Sequence, residues 1–237
     1  MAEAIPEEAR LRQMTDAIVE KMLAAGVAQK TFVTDERNGE DYWILSTPRA
    51  FEKRFIAVAS LGYPEQVGVW SNTLLRQGQE DATSMESHFR RFAEHDFGLV
   101  AINPNFLAPD TEGSSFLYQL DKAVSQIPPQ SKCGLIGFSM GGGMVLRFMD
   151  EHPAILERMA GLVLIDPTLP GRLRIGKVRP LLDRDTLLIA SEGEQHSPGK
   201  MASAILGIPA VSFSGIHGQM PSKALESIIE FYQERVS

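Results

Sequence analysis

One cysteine, Cys133, stands in 237 residues, so no internal disulfide can form. Such usage fits a reducing compartment, and the cytoplasm is the expected location. Long apolar runs are missing as well, since none reaches the ~18 to 20 residues that span a bilayer. The N-terminus carries Glu3, Glu7 and Glu8 and lacks the uninterrupted apolar stretch of a secretory signal. Positive charge is in short supply: 23 Lys and Arg against 30 Asp and Glu leave a net charge of −7. That field repels nucleic acid and anionic membrane surfaces, so neither is an expected partner.

What is present describes an ordinary globular chain, with 43% hydrophobic and 22% charged residues. Residues 6 to 25 place Leu11, Met14, Ile18 and Met22 at helical spacing, with Pro6 before them and Gly26 beyond. This predicts an amphipathic N-terminal helix. Two strands are expected at Thr31 to Asp35 and Tyr42 to Ser46, joined through an Asn38-Gly39 turn as a hairpin. Beyond Phe55, short apolar runs (55 to 59, 98 to 102, 133 to 137, 162 to 165, 186 to 190 and 210 to 213) alternate with helical stretches (84 to 94, 114 to 126, 140 to 151 and 222 to about 236). Runs buried on both faces and separated by helices predict an α/β fold, a mostly parallel central sheet flanked by helices on both faces. No repeat, low-complexity stretch or linker divides the chain, so residues 1–237 read as one domain, with 1–29 a helical extension and 30–237 the core.

Within that pattern Cys133-Gly134-Leu135-Ile136-Gly137-Phe138-Ser139-Met140-Gly141-Gly142-Gly143 reads as a strand, a sharp turn and a helix start. A serine on such a turn is held in a strained conformation with its hydroxyl above the sheet, and the glycines two positions to either side let neighbouring backbone pass. The bare pattern Gly-x-Ser-x-Gly is weak; its place after an apolar strand and before an amphipathic helix makes it specific. A dinucleotide fingerprint would need glycine where Ser139 stands. A phosphate-binding P-loop would need Lys and Ser or Thr where Gly143 and Met144 stand.

The elbow and the strand order around it resemble the α/β-hydrolase fold family over residues 30 to 237. The resemblance implies a serine nucleophile, Ser139, followed in chain order by an acid and a histidine. Of the five histidines, His88, His95 and His152 are expected at the surface or at helix ends. His217, on the loop after the last apolar run, takes the base's place. For the acid, Glu194 follows the run 186 to 190 in a turn resembling the family's Gly-x-x-Asp, with glutamate as a departure from the commoner aspartate. Asp166, after the earlier run 162 to 165, is its rival. One oxyanion donor is expected to be the Met140 N–H. The other is expected from the loop after Phe55 to Ser60, where Leu61 and Gly62 stand in place of the family's His-Gly and Tyr63 supplies the N–H.

About twenty residues separate Asp166 from Thr186, too few for a large cap, so an open site is expected. Tyr63, Trp70, Phe106 and Phe116 are candidates for an acyl pocket, although aromatics more often serve the core. Arg172, Arg174, Lys177 and Arg179 could draw anionic acyl substrates or could be a solvated charged loop. The expected activity is hydrolysis of a small-molecule carboxylic ester or thioester through an acyl-enzyme, with no metal and no organic cofactor required. The competing class is a non-catalytic binding or interaction protein that keeps a relic triad. The N-terminal helix can pack on the core, cover the site or form a homodimer contact.

Overall fold

Phe55-Ile56-Ala57-Val58-Ala59-Ser60 contains no charged residue and is buried at every position, which only an interior strand of a two-faced sheet allows. The computed structural model describes residues 6–36, 39, 41–62, 67–102, 114–171, 174–193 and 197–237, without the side chains of 114 and 115. The described residues form eight strands: β1 (Gln29–Thr34), β2 (Asp41–Ser46), β3 (Phe55–Ser60), β4 (Gly98–Ala101), β5 (Lys132–Phe138), β6 (Met159–Ile165), β7 (Thr186–Ser191) and β8 (Ala210–Phe213). Among the described residues the helices are α1 (Glu7–Ala24), α2 (Asn72–Arg76), α3 (Glu80–Thr83), α4 (Glu86–Glu94), α5 (Ser114–Ser125), α6 (Met140–Glu151), α7 (Arg179–Arg184), α8 (Pro198–Leu206), α9 (Met220–Lys223) and α10 (Leu225–Val236).

The strands form one sheet in the order β1-β2-β4-β3-β5-β6-β7-β8. β1 and β2 pair antiparallel as the expected hairpin, β2 joins β4 antiparallel, and the other pairs are parallel. Because strand side chains alternate between faces, each buried strand feeds two cores. Ala57, Ala59, Ile136 and Val163 pack with α1, α4 and α10 through Val19, Met22, Phe89, Phe92, Ile228 and Tyr232. Ile56, Val58, Leu135 and Leu162 pack with α5 to α8 through Leu120, Val145, Leu146, Leu181 and Leu206. The N-terminal helix is therefore part of one core: Leu11, Ile18, Val19 and Met22 are all buried.

The structure departs from expectation where elements are short. α2, α3, α7 and α8 have five, four, six and nine residues, too few for a helical period to stand out. The terminal helix expected from Ser222 is two pieces, α9 and α10, meeting at Ala224. In the connection from Asp166 to Thr186 the described residues hold one short helix, α7, and no large cap. No described helix is long and apolar enough to cross a membrane.

His88 corrects the sequence reading outright. It is buried on α4 beside Phe89 and Phe92, not at the surface. Both ring nitrogens are satisfied there: Nδ1 accepts from Trp70 Nε1 at 3.3 Å, and Nε2–H donates to the Pro221 carbonyl at 3.1 Å. Those partners suit the neutral ring, and burial lowers its pKa from 6.5 to about 4, partly opposed by the Pro221 hydrogen bond. An unfolded chain takes up this proton near pH 6.5 and the native one only near 4, so the contribution is complete above 6.5 and fades as pH falls through that window. Urea unfolding should show wild-type stability dropping by about 3 kcal/mol from this group between pH 6.5 and 4. In His88→Gln that part of the slope should vanish.

Candidate active site

β5 ends at Phe138 and α6 begins at Met140, so Ser139 alone turns the chain from strand to helix. It does so at φ 53° and ψ −127°, a conformation that costs a non-glycine residue on the order of 1–3 kcal/mol. The flanking glycines make room for the reversal. A β-carbon on Gly137 would lie 2.5 Å from Gly142 Cα, and one on Gly141 would lie 2.7 Å from the Leu61 carbonyl oxygen. The Met140 N–H opens α6 and has no acceptor within the helix, as first-turn donors do not. The Met140 side chain is exposed beside it.

The elbow is tied to the end of β6 on both sides of one residue. Ser139 N–H donates to the Ile165 carbonyl at 3.0 Å, and its own carbonyl accepts from Thr168 N–H at 2.9 Å. Asp166, between those partners, has φ 42° and no exposure to solvent. The loop after β8 then brings in His217. Its ring stacks on Phe138 with centroids 4.7 Å apart, and its Nδ1 lies 2.8 Å from Asp166 Oδ2. Burial pushes the Asp166 carboxyl up, yet hydrogen bonds from His217, Gly199 N–H and Ser191, with the His217 charge, outweigh it and leave its pKa below the usual value. The ionised carboxylate accepts from Nδ1–H, which leaves Nε2 with the lone pair.

Of the residues singled out by sequence, Asp166 and His217 thus meet, and the His217 ring stacks on Phe138, the residue before Ser139, at the carboxyl edge of the sheet. Glu194, which the loop after β7 favours as the acid, lies outside the described residues, as do Tyr63, Phe106, Arg172 and His196. Gly62 is buried, two residues after β3. Trp70 is a correction: it has no exposed surface and packs edge-on against Phe138 and beside His88, so it supports the site from beneath instead of lining a pocket. Phe116 is likewise a core residue of α5. Arg174 is exposed, but Lys177 donates to the Asp150 carbonyl and Arg179 pairs with Asp183 and the Leu206 carbonyl, so those two cations are engaged by the fold. His95 takes a hydrogen bond from Gln233 Nε2, and His152 stacks on Phe148, both away from the elbow. Sequence reasoning overlooked Ser191 and Gly199 as partners of Asp166. A serine ending a strand and a glycine opening a nine-residue helix carry no pattern of their own. Among the described residues no three His, Cys, Asp or Glu side chains gather as metal ligands do.

Compared by structure, the chain resembles a predicted CIB-like hydrolase from Thermoplasma acidophilum, with TM-score 0.55 and 16% identity over 87% of this chain and 98% of the other. It also resembles a carboxyl esterase from Bacillus coagulans, with TM-score 0.57 and 12% identity over 89% and 99%. A third neighbour is a thioesterase domain from the curacin biosynthetic pathway, with TM-score 0.59 and 13% identity over 87% and 99%. The chain has the α/β-hydrolase fold. Compared by sequence, it matches no family model and no curated protein. At such identity the likeness speaks for the fold, and the chemistry must be argued from the residues.

The glycine geometry is testable without any substrate. Gly141→Ala should lower the stability of the elbow by about 1–3 kcal/mol in urea unfolding, because the new methyl meets backbone oxygens that cannot swing away. Gly176→Ala, at a position with open space around it, is the control and should change little.

Proposed function

We propose that the chain is a serine hydrolase that cleaves a small-molecule carboxylic ester or thioester through an acyl-enzyme on Ser139. The observation that carries this reading is the 2.8 Å contact between a buried Asp166 carboxylate and His217 Nδ1, with the His217 ring stacked on the residue preceding a strained serine. Asp166 accordingly takes the acid's role in preference to Glu194. Its charge holds the imidazole in the tautomer whose Nε2 is basic, and stabilises the cation formed when that nitrogen takes the Ser139 proton.

The steps follow from these parts. Ser139 Oγ attacks the acyl carbonyl as His217 accepts its proton, and the oxyanion is met by the Met140 N–H, with the Tyr63 N–H as the second donor. His217 returns the proton to the leaving alcohol or thiol. A water activated by His217 then releases the acid and restores Ser139. No metal or organic cofactor enters the sequence. The described residues between Asp166 and Thr186 hold one short helix, which suits a substrate that approaches without a cap.

A fluorophosphonate probe and a panel of p-nitrophenyl esters and acyl thioesters test this directly. Wild-type protein should label at Ser139 and turn over at least one substrate. Ser139→Ala should lose labelling and nearly all turnover, His217→Ala nearly as much, and Asp166→Asn should lose on the order of 10³–10⁴-fold in kcat. An unlabelled, inert wild type would leave the fold serving as a binding protein. Full activity in Asp166→Asn alone would return the acid to Glu194.

A further inference from the structure

The Asp166 carboxylate is gripped by more than His217, and the grip has the form of a built clamp. We propose that Ser191 is a positioning residue, which together with the first turn of α8 fixes the orientation of the Asp166 carboxylate and, through it, the His217 ring. The proposal rests on the reading of Ser139, His217 and Asp166 given above.

Each carboxylate oxygen has a defined set of donors. Oδ2 accepts from His217 Nδ1 at 2.8 Å and from the Ser191 hydroxyl at 2.9 Å. Oδ1 accepts from Gly199 N–H at 2.6 Å, with Ser191 N–H further off at 3.5 Å. The Asp166 and Ser191 side chains are fully buried, so water does not stand in for the hydroxyl. The backbone is held as well, since Asp166 N–H donates to the Ile189 carbonyl at 2.8 Å. That bond sets the end of β6 level with the residues leading to Ser191 on β7.

The first turn of α8 is arranged for the same task. Ser197 caps the helix by accepting from Lys200 N–H at 3.2 Å, and Pro198 has no N–H to offer. Gly199 is then the next donor in line, and its bond goes to Asp166. Only glycine fits there: a β-carbon on residue 199 would stand 2.6 Å from Asp166 Oδ1 and 2.7 Å from the Ile189 carbonyl oxygen. The helix thus brings its backbone against the carboxylate, where the positive end of its dipole adds to the hydrogen bond.

Ser191 and His217 share one oxygen, and this gives the hydroxyl an influence that simple packing would not have. A second donor on Oδ2 draws down the electron density available to Nδ1–H, which moderates the stabilisation of the imidazolium. Among the described residues, the titratable group hydrogen-bonded to Asp166 is His217; Glu192, just after β7, and Lys200, on α8, are exposed. Removing the hydroxyl should therefore make Oδ2 a stronger acceptor for a protonated His217 while loosening the carboxylate's orientation.

The test reads His217 itself. In Ser191→Ala, the NMR titration midpoint of the His217 ring should rise by roughly 0.5 pH unit or more relative to wild type. The acid limb of kcat/KM for p-nitrophenyl butyrate should move the same way, with kcat several-fold lower and KM little changed. Ser191→Thr, which keeps the hydroxyl, should restore the midpoint. A folded Ser191→Ala whose midpoint stays or falls overturns the proposal, as does a shift that Ser191→Thr leaves uncorrected. If wild type hydrolyses nothing while the midpoint still rises in Ser191→Ala and returns in Ser191→Thr, the positioning role stands and the hydrolase reading is what fails.

Discussion

A carboxylate with no access to water is the point on which the site is organised. Burying Asp166 is unfavourable unless its lone pairs are met by donors, and no single element of the fold can supply them all. β6 places the residue, β7 ends in Ser191, α8 opens with the Gly199 N–H and the loop after β8 brings His217. Four segments that are distant in the chain must therefore be in register before the charge is satisfied. The parallel pairing of β6 with β7 and of β7 with β8 is what sets that register.

Close approach of backbone to backbone is the companion constraint. The Ser139 turn brings Gly137 against Gly142, and Gly141 against the end of β3. Each approach is closed to any side chain. The strain at Ser139 and the positive φ at Asp166 are tolerated because hydrogen bonds on both sides lock β6 to the elbow. Two residues in unfavourable conformations thus brace each other across adjacent strands, at the carboxyl edge where open α/β sheets bind their ligands.

The region beneath the site is apolar and fixed. Trp70 stands between Phe138 and His88, and the neutral His88 ring carries its contacts on to Pro221 in α9. His217 stacks on the upper side of the same phenylalanine. Phe138 is consequently the shared wall between the core and the proposed reaction centre.

Sequence alone carried the class of fold, because that rests on patterns a chain cannot hide. Strands such as 55 to 60 and 162 to 165 are apolar throughout, and Gly137 and Gly141 flank Ser139 at the spacing an elbow needs. The hairpin, the alternation of strands and helices and the place of His217 after the last strand were legible for the same reason. The short helices α2, α3, α7 and α8 were not, since a period of 3.6 is hard to read over so few positions. Nor could the sequence bring Asp166 to the His217 ring, place His88 in the interior or bury Trp70 between Phe138 and His88. Those outcomes depend on which groups lie within about 3 Å of one another, a distance set by strand register and by the approach of α8 to β6. Local pattern named Ser139 and His217 as candidates; tertiary structure brought the Asp166 carboxylate to the His217 ring, because a hydrogen bond is a matter of position in space and not of spacing along the chain.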